Sequence, residues 1–234
     1  GIEVGTEKAW ELCEQYNLPR IIFVTNMDDD HASYRELVLK LETRFGRKIA
    51  PFHLPIRENE KFVGFVNVVK MKGRKFTPLS DYEECEIPEY SQKNLNICRE
   101  ALMEAVAETS EEYMERYFSG EEFTYEEISS ALREHVIDGN IVPVMLGSGI
   151  NGQGAKMLLQ AVDKYFPAPD HYECIGVDVS TGERFVAKYN DDVSVSMRVF
   201  KTIVDPFIGK YSLIKVCTGI LKADSSSYNV NKDT

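Results

Sequence analysis

The sequence lacks several features that would assign it to a particular class of protein. Among its 234 residues there is no apolar run near the roughly 18 residues that a membrane-spanning helix needs. The N-terminus carries no basic segment followed by an apolar one, as a secretion signal would. We therefore expect neither a membrane span nor a secretory leader. With 43% apolar residues, the chain can form one large domain or two modest ones.

Cysteine and histidine are few, and they are scattered along the chain. The odd number of cysteines, with no pair at metal-ligand spacing, is typical of buried or stray thiols in a cytosolic protein rather than of a disulfide framework: Cys13, Cys85, Cys98, Cys174 and Cys217. The histidines are equally dispersed, which argues against a zinc site: His31, His53, His135 and His171.

Positive charge is scarce in one segment of the chain. Residues 81–139 contain 17 acidic and 4 basic residues, whereas the remainder is nearly neutral within a net charge of −11. Because acidic surfaces repel phosphate, this segment is not expected to bind nucleic acid. Two interpretations stay open, a solvated helical face and a docking surface for a basic protein partner.

The first fifty residues alternate between helical and strand patterns. A helix capped by Thr6 is followed by the wholly apolar stretch Ile21 to Val24, which is typical of a strand buried on both faces of a parallel sheet. Asp29 or Asp30 can cap the next helix, and Gly46 can end it. This order of elements predicts an α/β fold.

A different pattern occupies the middle of the chain. Residues 49–57 and 61–70 are predicted to form two strands, and a helix of about 20 residues is predicted to start at Asn94. Thr124 and Glu127 match a capping box at the start of a shorter helix. We interpret 47–139 as an insertion between two strand–helix units of one sheet.

The α/β pattern resumes at Ile141. A second apolar strand, residues 141–146, runs into the glycine-rich loop 147–152, and a helix follows it. The spacing Gly147-x-Gly149-x-x-Gly152 also fits a dinucleotide-binding fingerprint, in which residues 174–179 would be the next strand. An acid at the end of that strand, Asp178, comes late for this motif, so a tight turn without a ligand is the simpler interpretation.

The last forty residues favour β-structure. Residues 193–199 alternate strictly between apolar and polar, 205–210 form a turn, 211–221 continue as a second strand, and Tyr228 lies on a third. Three strands are few for an independent β-domain.

A guanine-specific site can be predicted at the ends of the two apolar strands. Open α/β sheets bind ligands at the carboxyl ends of their strands, and Asp28 follows one of them. A carboxylate accepts two adjacent hydrogen bonds, and guanine offers two adjacent donors, its ring N–H and its amino group. By itself, a strand that ends in Met-Asp is a weak signal, and a turn-forming Asp is the default interpretation.

The sequence as a whole resembles elongation factor G, and most closely an elongation-factor-G-like paralogue among the translational GTPases. The resemblance covers nearly everything except about 170–191. It is carried by the following segments: Thr6-Glu7 with Trp10, Pro19 to Val24 with Met27-Asp28, Ile87-Pro88-Glu89, Glu104 to Glu108, Gly120-Glu121-Glu122, Ile141 to Val144 with Gly147-Ser148, Asp205-Pro206-Phe207, Gly209-Lys210 and Gly219.

The resemblance implies a guanine-binding set of Thr25, Asn26, Asp28, Ser148 and Gly149. The family's specificity loop is Asn-Lys-x-Asp, so Thr25 and Asn26 replace its Asn and Lys, while Asp28 is kept. In the family the Lys stem covers the base, and Asn26 has no such stem. The family's usual Ser-Ala pair is Ser148-Gly149 here, at a position that mainly supplies a backbone N–H.

The motifs that hold phosphates and magnesium are absent from the sequence. There is neither Gly-x-x-x-x-Gly-Lys-Ser/Thr nor Asp-x-x-Gly. In the family these motifs and the catalytic histidine precede the segment that corresponds to residue 1, so we expect a fragment without catalytic residues, metal or bound cofactor. We assign 1–46 and 140–169 to the later half of a P-loop GTPase sheet, 47–139 to an acidic inserted α+β subdomain, 170–191 to a linker and 192–234 to the first strands of a β-barrel.

For the parent protein, the resemblance implies GTP binding and hydrolysis with magnesium, on the ribosome, to drive translocation or a related step. It implies that the acidic insert docks the stalk protein of the large ribosomal subunit. Within this insert we take Glu104, Glu108 and Glu112 as candidate docking residues. The alternative is a ribosome-binding paralogue whose nucleotide site has decayed. A dinucleotide-binding domain is the third hypothesis.

Overall fold

The computed structural model describes residues 1–78 and 81–232. In chain order its elements are α1 (Val4–Gln15), β1 (Ile22–Val24), α2 (Tyr34–Phe45), β2 (Ile49–Pro51), β3 (His53–Glu58), β4 (Lys61–Asn67), β5 (Lys72–Phe76), β6 (Tyr82–Cys85), α3 (Gln92–Ala107), α4 (Glu111–Ser119), α5 (Tyr125–Ile137), β7 (Val142–Leu146), α6 (Ala155–Tyr165), β8 (Cys174–Val177), β9 (Arg184–Ala187), β10 (Ser196–Asp205) and β11 (Gly209–Thr218). The chain divides into two units, Gly1–Phe166 and the part from Pro167 onward.

A parallel three-stranded sheet carries the two apolar strands that the sequence predicts. The strand order is β1-β7-β2, so β7 is central and all its residues are buried. β1 pairs with β7 on one side, and in the described residues no strand pairs with its other side, so its residues are only half-buried. The predicted α/β class is confirmed, but full burial of β1 is wrong, because all three of its residues are partly exposed at the edge of the sheet.

The chain changes sheet at a single residue, Phe52. The Phe52 N–H donates to the carbonyl of Val144 in β7 (2.9 Å), and the Phe52 carbonyl accepts from Val68 (2.9 Å). The expected single strand over 49–57 is therefore two strands. β2 lies in the parallel sheet, and β3 opens the antiparallel sheet β3-β4-β5-β6. β2 lies within 47–139, the range assigned to the inserted subdomain. Because β2 pairs with β7, the chain leaves the parallel sheet only after Pro51 and not at residue 47.

The helix predicted from Asn94 is broken in two. α3 ends at Ala107, and α4 begins after Ser110, whose hydroxyl accepts from the Tyr113 N–H (3.1 Å). The Thr109 hydroxyl donates to the Val106 carbonyl (2.7 Å) at the end of α3. These two hydroxyls satisfy backbone groups that a continuous helix would use, so the prediction of one long helix is wrong.

The other helix boundaries give mixed outcomes. The capping box of Thr124 and Glu127 is confirmed, and α2 ends at Gly46 as expected, with a positive φ of 85°. The residue that precedes α2 is Ser33 rather than Asp29 or Asp30. Likewise, α1 begins at Val4, so Thr6 lies inside the helix that it was expected to cap.

One apolar core fills the first unit. It joins both sheets to the inner faces of the helices that pack on them, and Leu41, Leu102, Leu132 and Met157 are among its members. Met27 belongs to the same core, with 1% of its surface exposed. The loop after β1 is thus anchored in the core by one side chain.

The unit from Pro167 onward contains two antiparallel hairpins, β8–β9 and β10–β11. The first lies within 170–191, the range assigned to a linker. The turn of the second is formed as predicted, because Asp205 Oδ1 accepts from the N–H groups of Phe207 (2.8 Å) and Ile208 (2.9 Å). Up to residue 232 no strand follows Thr218, so the strand expected at Tyr228 is wrong.

Candidate functional site

The carboxyl ends of β1 and β7 lie side by side because the two strands are parallel neighbours. The Gly147 N–H donates to the Val24 carbonyl (2.9 Å), and the Met27 N–H donates to the Gly147 carbonyl (3.1 Å). These two bonds tie loop 25–28 to the loop that begins at Gly147. The structure thus brings Thr25, Asn26 and Asp28 to the same edge of the sheet as Ser148 and Gly149.

Side chains in loop 25–28 differ sharply in exposure. Thr25 and Asn26 are exposed, Met27 is buried, and Asp28 is partly buried. Asn26 has a φ of 59°, and its carbonyl accepts from the Asp29 N–H (3.1 Å), so the backbone turns tightly here. Asn is among the few residues that tolerate this left-handed conformation well. The buried Met27 then fixes the position of Asp28, which follows it.

Arg57 of β3 braces this loop from the antiparallel sheet. Its Nη2 donates to the carbonyls of Met27 (2.8 Å) and Asp29 (3.1 Å), and its Nη1 donates to the Glu60 carbonyl (2.6 Å). One guanidinium therefore satisfies the carbonyls on both sides of Asp28. Sequence reasoning missed Arg57, because a strand of another sheet gives no spacing signal that connects it to the loop.

Asp28 carries an unsatisfied acceptor. Its Oδ1 is buried and has no hydrogen-bond partner in residues 1–78 or 81–232. Burying a polar atom without a partner costs about 1–3 kcal/mol, and more when the atom is charged. An N–H donor from a ligand would remove that cost, and it reaches Oδ1 only after neighbouring atoms move, because this oxygen is covered in the structure. Guanine, which offers two adjacent N–H donors, fits this requirement.

The loop after β7 is closed by hydrogen bonds of Ser148. The Ser148 N–H donates to the Gln153 carbonyl (2.9 Å), and the Ser148 hydroxyl accepts from the Asn151 N–H (3.2 Å). A Cβ on Gly147 would lie 2.3 Å from the Gln153 carbonyl oxygen and 2.5 Å from the Phe23 ring, so only glycine fits at this position. Ser148 is itself buried, with 1% of its surface exposed.

Gly149 stands in open space at the tip of this loop. A Cβ there would meet nothing within 4 Å, so the alanine that is usual in the resembled family would also fit. Within the described part of the chain, no acceptor bonds the Gly149 N–H. This donor is therefore free to bind a ligand that lies between the two loops.

Comparison with known proteins identifies the family. The model of the elongation factor Tu GTP-binding domain matches residues 1–168, which include both loops. The chain belongs to the elongation factor Tu GTP-binding domain family. A crystal structure of a protein from Thermus thermophilus is also similar, with 32% sequence identity and a TM-score of 0.74. That similarity covers 96% of this chain and 31% of the Thermus chain, so this chain spans less than a third of that relative's length.

The dinucleotide fingerprint does not have the structure it requires. In a dinucleotide-binding fold, the strand that follows the helix joins the same parallel sheet. Here β8 follows α6 and pairs antiparallel with β9. Gly152 serves the tight turn instead, with a φ of 67°, and Gly154, just after the loop, has a φ of 89°. This member of the GTP-binding domain family therefore does not use the loop as a dinucleotide fingerprint.

A cleft of ≈ 490 Å³ opens beside loop 25–28. Thr25, Asn26 and Asp29 line it together with residues of α1 and α2, whereas Asp28, Ser148 and Gly149 do not. The cleft therefore borders the candidate base site without being that site. Asp29 serves as a turn residue here, because its Oδ1 accepts from the His31 N–H (2.8 Å).

The three glutamates proposed for partner docking lie on different elements. Glu104 is on α3, Glu108 caps its end, and Glu112 is on α4, so the break between the helices divides them. Glu108 forms an ion pair with Arg47 (3.4 Å). Burial raises the pKa of the Glu42 carboxyl, and the nearby Glu104 carboxylate raises it further. The structure does not bring the three side chains together on one helical face.

No metal site is evident in the parts of the chain that the structure describes. In residues 1–78 and 81–232 there is no group of three or more His, Cys, Asp or Glu side chains that could hold a metal ion. The helices in these ranges are also too short or too polar to cross a membrane.

Proposed function

We propose that this chain carries the base-reading part of a guanine-nucleotide site in a translational GTPase of the elongation factor G type. The observation that supports this function best is the buried, unpartnered Oδ1 of Asp28, at the sheet edge where loops 25–28 and 147–149 are joined by backbone hydrogen bonds. GTP and GDP are the ligands of the proposed site.

Four of the five predicted residues have a role in this proposal. Asp28 accepts from the ring N–H and amino group of guanine, and the free N–H of Gly149 donates to the guanine carbonyl. Thr25 offers a hydroxyl at the position where the family has Asn. Ser148 shapes the second loop through its bonds to Asn151 and Gln153.

Phosphate binding and hydrolysis need residues that this sequence does not contain. The phosphate-binding motif and Asp-x-x-Gly are both absent. We propose that sequence outside this chain supplies them, together with the magnesium ligands and the catalytic groups. The full-length protein would then hydrolyse GTP on the ribosome to drive translocation or a related step, and its acidic segment would contact the stalk protein of the large subunit.

The replacement of the family's Lys by Asn26 favours a second candidate function. A Lys stem covers one face of the base, and its loss removes apolar cover worth about 1–2 kcal/mol at 25 cal/mol per Å². In the extreme case the nucleotide site has decayed, and the protein acts as a ribosome-binding module. Titrating the full-length protein with GTP, GDP, ATP and NAD separates the two hypotheses, because only the GTPase hypothesis expects a preference for guanine nucleotides.

The decisive test is Asp28→Asn in the full-length protein. The substitution replaces one acceptor oxygen by an NH₂ donor that faces the guanine amino group, so GDP binding should weaken. Xanthine has a carbonyl at that position, so binding of xanthosine diphosphate should improve. A site built for such bonds discriminates by up to about 10⁴-fold. Affinities for both nucleotides are measured by calorimetry or by displacement of a fluorescent analogue.

Asp30→Asn is the matched control. Asp30 is exposed and lies two residues away, and its substitution removes the same charge. Its nucleotide preference should equal that of the wild-type protein. If Asp28→Asn keeps the wild-type preference for GDP over xanthosine diphosphate, loop 25–28 does not read the base and the binding-module hypothesis becomes the better one.

A further inference from the structure

Two cysteines that are distant in sequence meet in the unit from Pro167 onward. Cys174 lies on β8 and Cys217 on β11, and their Sγ atoms are 3.1 Å apart, with the Cys174 thiol donating to the Cys217 sulfur. Both residues are partly exposed. The bond in a disulfide is about 2.05 Å long, so an approach of about 1 Å would join the two sulfurs.

We propose that Cys174 and Cys217 form an oxidation site whose co-reactant is a low-molecular-weight disulfide such as oxidised glutathione. The product is an intramolecular disulfide that links the β8–β9 hairpin to the β10–β11 hairpin. The other three cysteines lie on α1, β6 and α3 of the first unit, and among the described residues none of them is paired with another thiol.

The reaction proceeds in two exchange steps. A thiolate of the pair, Cys174 or Cys217, attacks one sulfur of oxidised glutathione, forms a mixed disulfide and expels one glutathione thiolate. The second cysteine then loses its proton to solvent and attacks the protein sulfur of the mixed disulfide, which expels the other glutathione. Two protein thiols are oxidised to one disulfide, and one oxidised glutathione is reduced to two thiols.

Burial, the neighbouring thiol and the nearby positive charges together determine the pKa of Cys217 and hence the pH at which this exchange is fast. Burial raises the pKa of the Cys217 thiol, the neighbouring Cys174 thiol raises it further, and the positive charges of Lys215 and Arg198 oppose this change. The thiolate is therefore a minority species near neutral pH, and the exchange should accelerate as the pH rises. Cys98 offers a contrast, because burial raises its pKa to about 11 in the core of the first unit.

The weak packing of this unit gives the cross-link a large effect. Of the described residues 167–232, only Ala187, Thr218 and Gly219 are buried. Isolated two-stranded hairpins are marginally stable in water. A cross-link between residues 43 positions apart restricts the unfolded chain, and the effect grows with the length of the closed loop. Oxidation should therefore slow proteolysis of this unit by about tenfold or more.

The experiment treats the whole chain with oxidised glutathione at pH 8.5, quenches it with acid, and counts free thiols after denaturation. The expected count falls from five to three. A peptide map should show the peptides of Cys174 and Cys217 joined and free of glutathione. Limited proteolysis before and after oxidation reports whether the unit from Pro167 onward becomes more resistant.

Variants distinguish this pair from a general reactivity of the thiols. Cys174→Ser and Cys217→Ser should each leave one stable glutathione adduct at the remaining partner and no cross-link. Cys13→Ser removes another partly exposed thiol, and its free-thiol count should fall from four to two with the same cross-link. Two separate glutathione adducts on Cys174 and Cys217, a cross-link that involves another cysteine, or five thiols retained after treatment would each overturn the proposal.

Discussion

Asn26 has a φ of 59° directly before the buried Met27, so its side-chain identity matters for the backbone. A residue with a Cβ pays about 1–2 kcal/mol in this left-handed region, and Asn is relieved of part of that cost by local hydrogen bonding. Lys has no such relief, so restoring the family's Lys at this position carries a backbone penalty. The exchange of Lys for Asn at position 26 is thus coupled to the shape of the turn.

A pair of substitutions tests this coupling. Asn26→Ala should lower the free energy of unfolding by about 1 kcal/mol, whereas Asn26→Gly should change it little, because glycine adopts positive φ without strain. Urea unfolding followed by Trp10 fluorescence measures both, since Trp10 stacks on Phe45 in the first unit (ring centroids 4.0 Å apart). Equal destabilisation by Ala and Gly would show that the Asn side chain, rather than the backbone conformation, stabilises the turn.

At the level of secondary structure, the Glu127 carboxylate joins α4 to the start of α5. Arg116 donates from Nη1 and Nη2 to the two carboxylate oxygens of Glu127 (2.7 and 3.2 Å). The Thr124 N–H donates to the same carboxylate (2.8 Å). The hydrogen bonds from Arg116, and then that from the Thr124 backbone, lower the pKa of Glu127 from 4.5 to about 2. This carboxylate therefore serves both the capping box and the contact between the helices.

The lowered pKa makes a prediction about acid stability. Because the folded-state pKa lies below the unfolded one, the contribution of Glu127 is fully present above pH 4.5 and is lost as the pH falls toward 2. Glu127→Gln should therefore lower stability at pH 7 and reduce the loss of stability between pH 5 and pH 3. Glu126→Gln, on the same helical turn, should retain the wild-type pH dependence. Urea unfolding at several pH values, monitored by Trp10, gives the comparison; identical slopes for the two variants would contradict this role of Glu127.

The acidic helices allow a test of partner docking. Glu104→Gln, Glu108→Gln and Glu112→Gln together should slow association of the full-length protein with ribosomes, and the difference should shrink as salt rises, because exposed charges are screened over about 8–10 Å. Since Arg47 already pairs with Glu108, the single variant at that position should have the smallest effect.

The control for the acidic helices removes three exposed acids from the unit that begins at Pro167: Glu183→Gln, Asp191→Asn and Asp192→Asn. Association rates from light scattering or surface-bound ribosomes supply the comparison. Equal slowing by both triple variants would indicate a general effect of net charge, and no slowing by the first would indicate a solvated face.

For the whole molecule, the proposed division of the nucleotide site predicts that this chain alone is inactive. Positioning of the phosphates and the metal supplies nearly all the rate enhancement of phosphoryl transfer, and the motifs for both are absent from the sequence. The purified chain should release no phosphate from GTP above a matched blank and should bind GTP weakly or not at all. Turnover that survives further purification and disappears in Asp28→Asn would show that the missing motifs are not needed.

Local signals in the sequence determined several features of this protein. Two apolar strands with polar loops at their ends predict the α/β class and place Asp28 and Ser148 at one sheet edge. The capping box at Thr124 and the turn after Asp205 depend on hydrogen bonds that span three residues or fewer. Such features follow from the sequence because the interacting groups are close neighbours along the chain.

Only the tertiary structure decided the features that depend on distant residues. Arg57 reaches Met27 across 30 positions, and Cys174 meets Cys217 across 43. The edge position of β1 and the change of sheet at Phe52 likewise depend on which strands pair. No periodicity or spacing in the sequence records these contacts, because packing of the whole chain determines which distant groups meet. The unsatisfied oxygen of Asp28 belongs with them, since the residues that surround a side chain in the fold determine whether it is buried and unpaired.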